Sequence, residues 1–429
     1  MFKTVRGMRD LLPEDAETMR YVEQVSRETS KLFGYDEIIT PVLEAYELLA
    51  AKTSEEIRER MYTFKDLGDR QVAMRPEFTA SVARLVVAKL RNAPKPLRLF
   101  SVGSLYRYDE PQYGRFREFW QSNFELFGSG RPEADAEILT LTDSILKKLG
   151  LEKYRFKVGH AGILNGLLTQ EGLDDTQQNN VRQLLDKKLW ADALTVASEA
   201  GVSQKCIQVL ENLLETKDDD PFRTLSKIRD CIKDYEVAVA AVDNLREILE
   251  LVKASGTELD VDVEAGFARG LEYYTGMIFE SYVPGLDIAL GGGGRYDKLI
   301  QLFGGEPIPA VGVAQGIDRI VLALTKQKAP QPVKPLSVTV VSVKDECVAK
   351  ALELAALLRD VGVPVEVAVM GRSVSRALAD ADRRGVAYAV IVGPKELEEN
   401  KVVLKDMRKN LQRTIDIGGL TQDILSGSA

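Results

Sequence analysis

Leu97-Arg-Leu-Phe-Ser-Val-Gly-Ser-Leu-Tyr-Arg107 and Phe116-Arg-Glu-Phe-Trp-Gln-Ser-Asn-Phe-Glu-Leu-Phe127, joined by the charged stretch from Asp109 to Arg115, read as the two strands of a long hairpin. Alternate residues of a strand share a face, so Phe119, Gln121, Asn123 and Glu125 fall on one side and Trp120, Ser122, Phe124 and Leu126 on the other. A row of polar groups can simply face water. Here the same face also carries Phe119 and Phe127, which favours a lined pocket over a solvated surface. Arg107, Arg115 and Arg117 crowd into the same hairpin. A guanidinium fork suits phosphate oxygens and stays charged at any working pH; pairing with Asp109, Glu110 and Glu118 is the plainer alternative, and this segment alone does not separate the two.

Working outward, a second strand-rich stretch runs from Leu259 to Val313, and the two flank a region, residues 160–252, where apolar residues recur at helical spacing and β-branched runs are few. One mixed sheet interrupted in sequence by a helical insertion is the economical arrangement. The second stretch contains Phe267-Ala-Arg269-Gly-Leu-Glu-Tyr273-Tyr274-Thr-Gly-Met-Ile-Phe-Glu280 and then Leu290-Gly-Gly-Gly-Gly-Arg295-Tyr-Asp297. Four glycines let backbone approach a ligand or another strand closely, but they match neither GxGxxG nor GxxxxGK[ST]. Tyr273 and Tyr274 are adjacent in what reads as a strand, so their side chains are expected on opposite faces unless the chain bends there. Ala310 to Leu324 reads as a strand, a glycine turn and an amphipathic helix with Arg319 in its early turns. An arginine there opposes the helix dipole, and a nearby polyanion would explain it.

Gln327-Lys-Ala-Pro-Gln-Pro-Val-Lys-Pro335 has the composition of a semi-rigid linker. Beyond it, strand patterns at Val338 to Val343, Val363 to Val369 and Ala387 to Val392 alternate with helical spacing at Glu346 to Asp360, which predicts a small α/β domain with a largely parallel sheet.

The 429 residues are 45% apolar and 28% charged, the balance of a multi-domain globular chain. No apolar run approaches the ~20 residues of a membrane span and the opening residues lack a secretory pattern, so a cytosolic location is expected. Cys206, Cys231 and Cys347 lie apart from one another and from the only histidine, His160, which indicates neither a disulfide framework nor a zinc site. One histidine also excludes paired-imidazole chemistry, and a structural role for His160 is favoured. The net charge of -8 argues against unspecific nucleic-acid binding. Residues 330–429 hold 14 Lys and Arg against 13 Asp and Glu, leaving 43 against 52 in the rest, so the acidity sits in the first three quarters.

These segments together resemble the class II aminoacyl-tRNA synthetases, most closely the histidyl-tRNA synthetase family. Arg75-Pro-Glu-Phe-Thr-Ala80, Tyr106-Arg-Tyr-Asp-Glu-Pro111 and Gly114-Arg-Phe-Arg-Glu-Phe-Trp-Gln121 resemble the second class motif, Gly316-Ile-Asp-Arg319 the third, and Gly34-Tyr-Asp-Glu-Ile-Ile-Thr-Pro41 the first, a dimer-interface element. Arg269-Gly-Leu-Glu-Tyr-Tyr-Thr-Gly276 and Gly292-Gly-Gly-Arg-Tyr-Asp297 are similar to two segments peculiar to the histidine family, and Val5-Arg-Gly-Met-Arg-Asp-Leu-Leu-Pro13 to its usual opening. The sequence departs from the family pattern at Phe78, where a smaller residue is frequent, at Asp109, where glutamate is commoner, and at Glu272, where aspartate is usual.

The resemblance implies an α+β catalytic domain with a mixed, mainly antiparallel sheet of the class II kind, in two parts (residues 1–159 and 253–328), a helical insertion (160–252), a linker (329–335) and a C-terminal, anticodon-binding-like α/β domain (336–429). It implies ATP-dependent ligation of L-histidine to tRNA(His) through a histidyl-adenylate, by a homodimer, with Mg2+ arriving with ATP and no metal held by protein clusters. The implied histidine-binding residues are Glu77, Phe78, Thr79, Arg107, Gln121, Glu125, Arg269, Tyr273 and Tyr274. Arg107, Asp109, Arg115 and Arg319 are the implied ATP ligands, with Arg107 and Arg269 catalytic. The alternatives are a non-catalytic regulatory paralogue serving histidine biosynthesis, which typically lacks the C-terminal domain and pocket residues, and a synthetase for proline, threonine or glycine. The stretch after Pro335 and the arginine set count against the first, and the Arg269 run against the second.

Overall fold

The computed structural model describes residues 2–51, 55–112, 114–267, 273–330 and 336–427. Arg269 and the rest of Arg269–Glu272 lie outside the described residues, as do residues 331–335 of the expected linker. The chain forms two compact units, residues 1–331 and 332–429.

The strands of the first unit are β1 (Asp36–Glu37), β2 (Leu43–Ala45), β3 (Thr63–Lys65), β4 (Gln71–Met74), β5 (Leu97–Tyr106), β6 (Glu118–Phe127), β7 (Arg155–His160), β8 (Val261–Val263), β9 (Met277–Tyr282), β10 (Gly291–Arg295) and β11 (Ala310–Gly316). Eight of them form one sheet in the order β1-β5-β6-β11-β10-β9-β7-β8, and β2-β4-β3 form a small second sheet. In the large sheet only the outermost pairings, β1 with β5 and β7 with β8, are parallel. The five interior pairings are antiparallel, which makes the sheet mixed and mainly antiparallel.

Between β7 and β8 the chain leaves the sheet for six helices that run from Ala161 to Ala254. Their starts are written locally: Asp174 and Gln177 form a capping box, Ser203 caps the helix Gln204–Glu215, and Asp220 caps a helix that opens on Pro221. Their apolar stripes, among them Leu164, Leu185, Leu210, Leu225 and Leu245, close a core continuous with the outer face of the sheet. Phe100, Phe124, Leu126, Phe156 and Phe279 point into that core.

The second unit contains β12 (Val338–Ser342), β13 (Val365–Val367), β14 (Tyr388–Val392), β15 (Lys401–Asp406) and β16 (Leu411–Asp416), in the order β13-β12-β14-β15-β16, with its own apolar core. The largely parallel sheet expected from the sequence is corrected here. β13, β12 and β14 are parallel, but β14 with β15 and β15 with β16 are antiparallel. The hairpin escaped the sequence reading because β16 is exposed apart from Ile415, so it carries little hydrophobic alternation. Among the described residues no helix is long and apolar enough to cross a membrane.

Candidate functional site

The inner face of the large sheet floors a cavity of about 380 Å3. Its depth follows from register. Gln121, Asn123 and Glu125 of β6 lie opposite Gly316, Ala314 and Gly312 of β11, and β11 pairs Gly312 and Ala314 with Gly294 and Gly292 of β10. Residues paired across antiparallel strands share a face, so a strip of polar side chains borders a strip with almost none. The four-glycine run thus acts as the trough of a cleft rather than as a phosphate loop. Glu280, paired with Gly292, lines the far side.

Glu125 lies at the floor, 2% exposed. Its Oε1 accepts the Thr79 hydroxyl at 2.8 Å and the Asn123 amide at 2.8 Å. Thr79 is delivered by the start of the helix Thr79–Lys89. Oε2 and the Tyr296 hydroxyl are both buried without a partner among the described residues. A Cβ at Gly312 would sit 2.4 Å from each of these two oxygens and 2.6 Å from the Phe124 carbonyl, so only glycine leaves that corner open. Burial above all, with the neighbouring charge of Glu77, pushes the Glu125 carboxyl up to about 8 despite the lowering effect of the hydrogen bonds from Thr79 and Asn123. Oε1 already accepts two donors, so in the protonated carboxyl the proton falls to Oε2. Orphaned buried polar atoms are costly, and a ligand with a matching donor and acceptor relieves that cost.

Tyr273 and Tyr274 both line the cavity, with ring centroids 5.0 Å apart. The expectation that strand alternation would part them is corrected: they precede β9 in a turn, where no two-residue alternation applies. Tyr296 completes the aromatic wall, 5.6 Å from Tyr273 and 6.4 Å from Tyr274.

Arg107, Arg115 and Arg319 also line the cavity. Arg107 follows β5 and donates its Nε to the Pro76 carbonyl at 3.0 Å. Arg319 lies in the first turn of the helix Ile317–Gln327 and donates to the Ala289 carbonyl at 2.9 Å. A helix N-terminus and three guanidinium groups favour an anion. Asp109 also lines the cavity and accepts from Arg60 at 3.1 Å. Glu77, Thr79 and Gln121 complete the expected residues found there, Glu77 close enough to Glu125 to act on its charge.

Phe78 departs from its expected place. Its ring is 2% exposed in the core beneath the guanidinium of Arg75, 4.3 Å away, and it is not among the described lining residues. The large side chain is accommodated because it points away from the ligand space. The third hairpin arginine, Arg117, is also scaffold: it is 4% exposed and donates to the carbonyls of Asp109 and Arg6. In Arg295-Tyr-Asp297, Arg295 forms a buried pair with Asp135 at 2.5 Å and only Tyr296 between them lines the cavity. His160 is structural: Nδ1 accepts from the Gly162 amide at 3.0 Å, Nε2 faces Asn244 at 3.2 Å, and burial lowers its pKa to about 4. Sequence reasoning missed Tyr296, Asp318 and Asp186 as cavity residues. Strand alternation had placed Asn123 on the pocket face, whereas nothing local marks Asp186, which ends a helix of the insertion. Among the described residues no group of three His, Cys, Asp or Glu is arranged to hold a metal ion.

Comparisons with known proteins agree with this geometry. The family model described as histidyl-tRNA synthetase matches residues 7–320, and that of an anticodon binding domain matches residues 337–426. A histidine–tRNA ligase of Methanocaldococcus jannaschii is 41% identical over 98% of this chain and 99% of its own length. One of Saccharolobus solfataricus is 37% identical over 97% of both chains. Among solved structures, apo S. aureus histidyl-tRNA synthetase aligns with a TM-score of 0.75 at 28% identity over 99% of this chain and 100% of its own. A Bacillus halodurans chain described as an ATP phosphoribosyltransferase regulatory subunit/histidyl-tRNA synthetase aligns at 0.77 and 28% identity, covering 92% of this chain and 98% of its own.

Proposed function

The chain belongs to the histidyl-tRNA synthetase family, the class II enzymes that join histidine to tRNA at the expense of ATP, and from that premise we propose how its residues divide the work. The carrying observation is the pair of orphaned oxygens, Glu125 Oε2 and Tyr296 OH, beside a cavity that Glu125 and Tyr296 line together with Arg107, Arg115 and Arg319. An imidazole has one N–H and one bare nitrogen. It therefore satisfies both oxygens, one as donor and the other as acceptor, and a side chain that leaves them unpaired is rejected. Gln121 and Thr79 border this pocket, and Tyr273 and Tyr274 wall it.

The histidine carboxylate is ionised at neutral pH, so its attack on the α-phosphorus of ATP needs no protein general base. A carboxylate oxygen bonds to phosphorus, the bond to the bridging oxygen breaks, and pyrophosphate leaves. A terminal ribose hydroxyl of tRNA then attacks the adenylate carbonyl and AMP departs. Arg107 and Arg269 are assigned to the α-phosphate and the substrate carboxylate, Arg115 and Arg319 to the distal phosphates, and Asp109 to the nucleotide. Mg2+ is assigned to the nucleotide it accompanies, adding charge neutralisation there.

The insertion is assigned to the acceptor stem and residues 336–429 to the anticodon. Exposed Leu32, Ile39 and Leu43 beside β1 and β2 support a homodimer contact at the first class motif. The reaction is assigned to the cytosol. Pyrophosphate exchange tests the division. Arg319→Ala is expected to raise the KM for ATP about tenfold or more with the histidine KM unchanged, and Gln121→Ala to do the reverse. Variants that move both constants alike would overturn it.

A further inference from the structure

Residues 4–12 form no helix or strand, yet they are bound to the rim of the cavity. The Gly7 carbonyl accepts the Arg117 amide at 2.9 Å, and the Arg6 carbonyl accepts the Arg117 guanidinium at 3.3 Å. Gly7 has a φ of 84°, and a Cβ there would lie 2.6 Å from Arg117 Cδ, so glycine lets this strap lie flat on the hairpin. Arg6 pairs with Glu110 at 2.8 Å.

The strap ends its grip through Arg9. Its guanidinium lies 3.6 Å from the centroid of the Phe116 ring and forms an ion pair with Asp318. Both Phe116 and Asp318 line the cavity; Arg9 itself does not. Asp318 precedes Arg319, its side chain is 4% exposed, and its Oδ2 accepts the Trp120 amide at 2.7 Å. That amide lies just past the last β6–β11 pairing, Gln121 with Gly316, so Asp318 extends the ladder where β11 has ended.

We propose that Arg9 is a positioning residue for the ATP half of the site, acting through Asp318 and Phe116 to hold Arg319 and Arg115 toward the phosphates. The proposal rests on the assignment of those two arginines to ATP. Asp318 and Arg319 line the same cavity, so an unmatched carboxylate at Asp318 would repel the phosphates that Arg319 is to hold, and Arg9 is the cation paired with it. The planar guanidinium also stacks on Phe116, next in sequence to Arg115, which an ammonium does less well.

Pyrophosphate exchange with the full chain tests this. Arg9→Ala is expected to raise the ATP KM about tenfold, leave the histidine KM within about twofold, and lower kcat little, with Arg9→Lys in between. In an Asp318→Asn background, where no charge needs matching, Arg9→Ala is expected to add little. An unchanged ATP KM, or ATP and histidine KM rising together with a fall in Tm, overturns the proposal. Arg319→Ala in the same assay separates the two levels: if it moves the ATP KM and Arg9→Ala does not, the positioning role alone fails. If Arg319→Ala does not move it, the assignment to ATP fails.

Discussion

Glu125→Gln is expected to make the ligand-free protein more resistant to alkaline unfolding while disabling it as an enzyme. The folded protein holds the Glu125 proton until about pH 8, because the carboxyl is buried, whereas the ordinary value is 4.5. A carboxyl whose folded pKa is raised contributes stability fully below the unfolded pKa and loses it as pH rises through the folded one. A displacement of that size corresponds to about 4 kcal/mol lost from this group between about pH 5 and about pH 9. Glutamine does not titrate, and its carbonyl can still accept from Thr79 and Asn123. The difference in stability, variant minus wild type, is therefore expected to grow across that range, widening the gap in Tm by roughly 5 °C or more. Saturating histidine is expected to flatten the wild-type curve, since the ligand partners Oε2. Thermal unfolding of both proteins in a series of buffers, alongside histidine-dependent exchange, is the assay. Parallel pH curves for the two proteins would refute the placement of a protonated carboxyl at the floor of the pocket.

Two further substitutions probe separate parts of the account. Gly312→Ala puts a methyl group on both orphaned oxygens, and histidine-dependent exchange is expected to fall about 100-fold or more with ATP binding by calorimetry retained. Removing residues 336–429, a unit with its own core, is expected to leave exchange intact and reduce tRNA charging severely, as read by acylation of tRNA(His) transcripts.

The inner face of the hairpin was legible because strand alternation is a strong local rule: Phe119, Gln121, Asn123 and Glu125 all line the cavity. The mixed sheet and the helical insertion were legible for the same reason, from the change of period along the chain. What sequence could not supply was register. Only the pairing of Glu125 with Gly312, and of Gly312 with Gly294, turns the glycine run into a trough and brings Tyr296 to Glu125. Tyr273 and Tyr274 were misread as strand residues because the turn ahead of β9 has no signal beyond Gly276. Phe78 and Arg117 carry the residue types of a site but spend them on the scaffold, a distinction that depends on which way a side chain points.

The central claim is that an imidazole-specific pocket is joined to an arginine-lined nucleotide site, and ATP–pyrophosphate exchange measured with each of the twenty amino acids in turn tests it most directly. Exchange with histidine, and at most a trace with any other, is the result the account predicts. Exchange driven by proline, threonine or glycine, or none with histidine, would contradict it.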